Sequence, residues 1–154
     1  DLDAELFRMM RSMVKGELPA QLMREIGTEL ELAQFQALTS VLRIQSGMAR
    51  QDSREATIGH VAAEMNVDPS RASRLVSELI AQGYLSREVS QQDARRSVLQ
   101  PLPKAQKLLA EFRDLKWQKM IQLFKGWNEA DILDFSRLFL RFRDDMRAVY
   151  PGRE

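Results

Sequence analysis

Residues 57–87 read TIGHVAAEMNVDPSRASRLVSELIAQGYLSR, and this stretch decides the fold. Thr57 can cap a helix over 58–65, with Ile58, Val61, Ala62 and Met65 on one face. Asn66-Val67-Asp68 then makes a short turn. Asp68 is a good N-cap, and Pro69 stands at the first helical position, where its missing N–H costs nothing. A second helix over 69–82 buries Ala72, Leu75, Val76, Leu79 and Ile80, and Gly83 supplies a left-handed stop. Two short helices joined by a tight turn, each apolar along one stripe, predict a helix-turn-helix.

Downstream, residues 84–89 and 97–102 alternate as strands around a polar tip, Ser90-Gln91-Gln92-Asp93-Ala94-Arg95-Arg96. This is a hairpin with an overhanging loop. Pro101 makes its second strand a short or edge strand. Upstream, residues 2–15 form a helix with a wide apolar face that includes Leu2, Leu6, Met9 and Met13. Gly16 ends it, and a short helix over 19–27 begins at Pro19. Residues 32–46 form another, buried through Leu32, Phe35, Leu38 and Leu42, and the aperiodic, polar residues 47–56 form a loop. Two helices close the chain. One spans about 104–125; the other is capped by Asn128 and ends before Pro151, with a heptad-like seam through Ile132, Phe135, Phe139, Phe142, Met146 and Val149. The expected fold class is mainly α with a small β-hairpin wing.

Composition bounds the function. The chain has 154 residues, 44% hydrophobic and 29% charged, with a formal net charge of +1. That is a globular composition with room for a core, and its net charge alone decides nothing about nucleic acid. No cysteine is present, which removes disulfides, thiolate catalysis and cysteine–metal sites. One histidine, His60, has no visible metal partner. No metal site and no cofactor are expected. No apolar run approaches the roughly 18 residues of a spanning helix, and charges interrupt residues 1–15, so neither membrane insertion nor a signal peptide is expected and the default compartment is the cytoplasm.

The polar side of the 69–82 helix carries Ser70, Arg71, Ser73, Arg74 and Ser77. Small hydroxyls permit close approach to a groove, and arginine can grip guanine edges or phosphates with two parallel hydrogen bonds. The start of the second helix of a helix-turn-helix meets the major groove, and these residues sit at that start. The plain reading is a solvated polar face. Arg95 and Arg96 at the hairpin tip favour a DNA role, because arginine suits the negative potential of a narrow minor groove. Asp93 is either a turn residue or a partner that pins a wing arginine. His60 falls on the exposed side of its helix, either as a phosphate contact or as a surface histidine without function.

With these residues in place, the 57–96 segment resembles the DNA-reading region of the MarR family. Ser73-Arg74 stands where that family often has Thr-Arg; Gly83-Tyr84-Leu85 resembles its entry to the wing; Asp93-Ala94-Arg95-Arg96 matches its Asp-x-Arg wing tip. Leu30-Glu31-Leu32-Ala33-Gln34-Phe35 resembles its Leu-Thr-x-x-Gln-Phe helix start. The family's Leu-Thr-x-x-Gly wing closure is replaced by Leu102-Pro103-Lys104-Ala105-Gln106, which leaves the register of the second strand open. The resemblance implies a single domain over 1–154, with a winged-helix DNA-binding lobe at 32–102 and a helical dimerisation lobe formed by 1–28 and 104–150. It implies a homodimer on a pseudo-palindromic operator, tuned by a small aromatic or anionic ligand. Helices apolar on more than one side, together with Trp117, Phe124 and Trp127, support the dimer independently.

Three function classes compete. The leading one is a DNA-binding transcriptional regulator with Ser70, Arg71, Ser73, Arg74, Ser77, Arg95, Arg96 and His60 as contact residues. The second is a winged-helix protein-interaction module without its own operator. An enzyme is not expected: no nucleophile–base pair, phosphate-cradling glycine loop or metal-ligand cluster is visible, so no catalytic residues are assigned.

Overall fold

The computed structural model describes residues 1–47 and 55–150. Among these, seven helices and two strands follow in order: α1 (Leu2–Val14), α2 (Glu17–Ile26), α3 (Leu32–Ser46), α4 (Ile58–Met65), α5 (Pro69–Ala81), β1 (Leu85–Val89), β2 (Ser97–Pro101), α6 (Pro103–Phe124) and α7 (Glu129–Val149). The fold is a winged helix: a helix pair, a two-stranded antiparallel hairpin, and flanking helices at both ends. Most of the expected loop at 47–56, and Pro151, lie outside the described residues.

The chain divides into two compact units, Asp1–Leu115 and Lys116–Glu154. In the first, Leu38, Val41, Val61, Val76, Leu79, Leu85 and Leu99 are fully buried and join α3, α4, α5 and the hairpin in one core. The expected stripe of α5 is there, with Ala72, Leu75, Val76 and Leu79 buried and Ile80 half-buried. Polar cross-links fix the helices. Gln34 Nε2 donates to Glu78 Oε2 at 2.9 Å, tying α3 to α5, and its Oε1 accepts from the Glu31 N–H at 3.0 Å at the helix start. Arg43 pairs with Glu64 at 2.9 Å, tying α3 to α4. Gln45 Nε2 donates to the Leu99 carbonyl at 3.0 Å, tying α3 to β2.

The boundary between α1 and α2 differs from expectation. α2 starts at Glu17, so Pro19 is its third residue. Gly16 caps it at φ +67°, and a Cβ there would lie 2.8 Å from Leu32 Cδ2. Proline tolerates any first-turn position, since those N–H groups have no intrahelical acceptor. The same principle explains the unusual wing closure. Pro103 is the first residue of α6, and Leu102 offers its carbonyl to the N–H groups of Ala105 and Gln106 at 2.9 and 3.1 Å. A helix that opens on proline has one fewer N–H without an intrahelical acceptor.

The second unit holds the end of α6 and all of α7, and α7 buries no residue. Phe124, Trp127, Phe135 and Phe139 form a chain of ring contacts with centroids 5.1–5.9 Å apart. Trp117, Ile121, Leu123, Leu133, Leu138 and Leu140 remain exposed.

Candidate nucleic-acid interface

The helix-turn-helix is built by local chemistry. The Thr57 hydroxyl accepts from the His60 N–H at 3.2 Å and starts α4. Asn66 ends it in the left-handed region (φ 53°), and the Val67 N–H reaches back to the Ala62 carbonyl at 3.0 Å. Asparagine tolerates this conformation better than other non-glycine residues. Asp68 Oδ1 accepts from the Arg71 N–H at 2.8 Å, and Pro69 is the first helical residue, as the sequence predicts. Gly83 (φ 76°) stops α5, after which the Tyr84 N–H bonds to the Leu79 carbonyl at 2.9 Å. Lys104 Nζ reinforces this end: it donates to the Gln82 carbonyl at 2.9 Å and lies 4.3 Å from the centre of the Tyr84 ring.

On α5, Ser70, Arg71, Arg74 and Ser77 are exposed and Ser73 is half-buried. Positions 70, 74 and 77 recur at helical spacing and so share a face. Among the described residues no carboxylate pairs with Arg71 or Arg74, and no side-chain hydrogen bond engages the three serines.

In the hairpin, Leu85 pairs with Pro101, Arg87 with Leu99 and Val89 with Ser97, which fixes the register the sequence left open. At the tip Asp93 acts as a turn residue. Its Oδ1 accepts from the Arg95 N–H at 3.0 Å and its carbonyl from the Arg96 N–H at 2.9 Å. Both arginine side chains are exposed, with no carboxylate partner among the described residues. The structure separates the two. Arg95 stands on the turn, while Arg96 lines a cleft of about 310 Å³ together with Arg87, Thr57, Ile58 and Gly59. That cleft therefore combines two guanidiniums with the first turn of α4, where free N–H groups favour an anion.

His60 is half-buried rather than on the open side of α4. Its Nδ1 lies 2.9 Å from the Glu55 carbonyl oxygen. A ring nitrogen facing a carbonyl must carry the proton, so the neutral imidazole has only an acceptor left at Nε2. Such a ring offers no hydrogen to a phosphate unless it is charged.

Glu55 and Arg87 are the site residues that sequence reasoning missed. Glu55 Oε2 accepts from the Ser90 hydroxyl, and its Oε1 accepts from the Gln91 N–H at 3.0 Å. Ser90 Oγ in turn accepts from the N–H groups of Gln92 and Asp93, each at 3.1 Å. One carboxylate just before α4 thus holds the root of the wing tip. The Leu99 N–H donates to the Ala56 carbonyl at 2.8 Å, so the same segment also braces β2. Glu55 lay in an aperiodic polar stretch with no local signal. Arg87 had one: strand alternation puts it on the face that carries Leu85 and Val89.

No helix among the described residues is long and apolar enough to cross a membrane. Among them, no group of three or more His, Asp or Glu side chains is placed to hold a metal ion.

The helix pair and its hairpin define a winged helix-turn-helix protein. The sequence model described as MarR family matches residues 28–96, and the chain carries the MarR-type fold. Solved structures agree over nearly the whole length. A MarR family protein from Bacillus stearothermophilus superposes with a TM-score of 0.72 at 16% identity, covering 94% of this chain and 95% of that one. MepR from S. aureus, in a structure with ethidium bromide bound, gives 0.66 at 17% identity, covering 93% and 95%. A transcriptional regulator from Thermotoga maritima gives 0.64 at 18% identity, covering 97% of each chain. No curated protein matches the sequence.

Proposed function

We propose that this protein is a DNA-binding transcriptional regulator that acts as a homodimer, with one half-site of a pseudo-palindromic operator per protomer. The observation that carries the reading is the set of uncommitted arginines on the winged helix. Arg71 and Arg74 lie on the α5 face, and Arg87, Arg95 and Arg96 on the wing; all are exposed and none pairs with a carboxylate among the described residues. A structural arginine normally finds a partner, as Arg43 does in Glu64. In this reading Ser70, Arg74 and Ser77 face base edges in the major groove, and Arg95 enters the minor groove. Arg87, Arg96 and the first turn of α4 hold a backbone phosphate. His60 sets the wing root through Glu55 and does not touch DNA.

Residues 32–102 form the DNA-binding lobe of this arrangement, and 1–28 with 104–150 form the dimerisation lobe. The exposed apolar side chains of the second unit support that assignment, since apolar surface on this scale marks an interface. In α1, Phe7, Met9, Met10 and Met13 add to it. MepR binds ethidium, and the described cavities here support tuning by a small molecule.

The test is selection of duplexes from a random pool by the immobilised protein, followed by footprinting. A two-fold symmetric sequence with half-site centres about one helical turn (~10 bp) apart is expected. A pool that never converges would leave the alternative, a winged-helix protein-interaction module.

A further inference from the structure

Lys104 is the second residue of α6. A cation in the first turn of a helix opposes that helix's own dipole, so the charge does nothing for α6. It serves another helix instead. Nζ donates to the carbonyl of Gln82 at 2.9 Å, and Gln82 is the C-cap of α5. The last carbonyls of a helix lack an intrahelical donor and carry its negative end, so a lysine there is favourable twice over. The same ammonium stands 4.3 Å from the centre of the Tyr84 ring, and Tyr84 is buried. The tie spans 22 residues and bypasses the whole wing, whose two ends are closed by the Leu102 N–H on the Tyr84 carbonyl at 2.9 Å. Ala105 and Leu108 also pack α6 against the core, but apolar packing is non-directional and lets a helix rock. A hydrogen bond has a fixed direction. From this junction α6 continues without a break from the first unit into the second.

We propose that Lys104 is a positioning residue for operator recognition: by fastening the end of α5 to the start of α6 it fixes the angle between the reading helix and the helix that leads to the dimer interface, and so sets the half-site spacing the dimer accepts. The inference rests on the proposed homodimer with one half-site per protomer. One base pair of added spacing moves the second half-site by about 3.4 Å and turns it by about 35° around the duplex. A reading helix held at one angle rejects that change. A reading helix that rocks accepts it, and its own base contacts remain the same.

The experiment runs the random-pool selection in parallel with full-length wild type, Lys104→Met, Lys104→Arg and Lys107→Met, and reads half-site sequence and spacing separately. Wild type should prefer one spacing over its neighbours by about tenfold or more, the order of one mismatched base pair. Lys104→Met keeps the apolar stem and loses the donor; it should select the same half-site with that preference reduced to about threefold or less. Lys104→Arg retains a donor and a cation for the Tyr84 ring and should restore the single spacing. Lys107 is exposed, one turn further along α6 and 3.9 Å from Glu111, so Lys107→Met removes the same charge without touching α5 and should match wild type. On the free protein, the amides of Gly83 and Tyr84, which bond back to Ile80 and Leu79, should exchange about fivefold faster in Lys104→Met. Unchanged exchange there, an unchanged spacing preference, or an altered half-site sequence in Lys104→Met overturns the inference. So does a loss of about one from the salt slope with spacing preserved, the mark of a direct phosphate contact. A wild-type pool that never converges refutes the proposed function, and the spacing role falls with it whatever the exchange shows.

Discussion

Replacing Glu55 by alanine isolates the contribution of the wing root. The substitution removes the acceptor for two donors. The Gln91 N–H is exposed and turns to water, so its loss costs about 0.5–1.5 kcal/mol, the net worth of an ordinary hydrogen bond. The Ser90 hydroxyl belongs to a residue only 5% exposed, and losing its acceptor there costs about 1–3 kcal/mol. The sum is roughly 1.5–4.5 kcal/mol, and the partial exposure of Glu55 itself puts the expected value in the lower part of that range, about 2 kcal/mol. Hydrogen exchange reads this best, because wing tips open locally without global unfolding. The amides of Gln91, Gln92 and Asp93 should exchange about 30-fold faster in the variant, while those of α3 and α5 stay within a few-fold of wild type. Glu55→Gln keeps an acceptor of the same reach and should show a smaller effect. Unchanged exchange at all three amides in Glu55→Ala would refute the idea that this carboxylate holds the wing.

Three further outcomes follow from the structure. Asp68→Ala removes the cap of α5 and should lower stability by about 0.5–2 kcal/mol in a urea titration, with the slope unchanged. Leu38→Ala empties a fully buried site between the helices and should cost about 2–5 kcal/mol in the same assay. Phe139→Glu places a charge within the exposed aromatic run of α7; sedimentation should show a dimer for wild type and a monomer for the variant, and equal mass for both would count against dimerisation through this surface.

The helix pair was legible because its boundaries rest on local chemistry. Asp68, Pro69 and Gly83 act at the positions where they stand, and the 3.6-residue stripe of α5 needs no knowledge of its neighbours. Asn128 likewise caps α7 as read, its Oδ1 accepting from the Asp131 N–H at 2.9 Å. Readings failed where a long-range partner decides. The Ser90 bond to Glu55 spans 35 residues, and the Gln34 bond to Glu78 spans 44, so neither leaves a local pattern. His60 looked exposed on a helical wheel, yet its ring turns back to the chain preceding α4, which a wheel omits. The start of α2 was placed late because proline was read as the first helical residue, when any first-turn position suits it. The α5 face was read as a DNA face from its residue types. What the structure adds is that its arginines, and those of the wing, have no internal employment among the described residues.

The most direct measurement is the salt dependence of binding to one duplex, compared between wild type and Arg96→Ala. Each phosphate neutralised contributes about 0.9 to the slope of log Kobs against log salt. Wild type should bind with a steep negative slope, and Arg96→Ala should lose about one from it per protomer, weakening all sequences alike. No salt-sensitive binding in wild type, or the same affinity and slope in both proteins, would contradict the account.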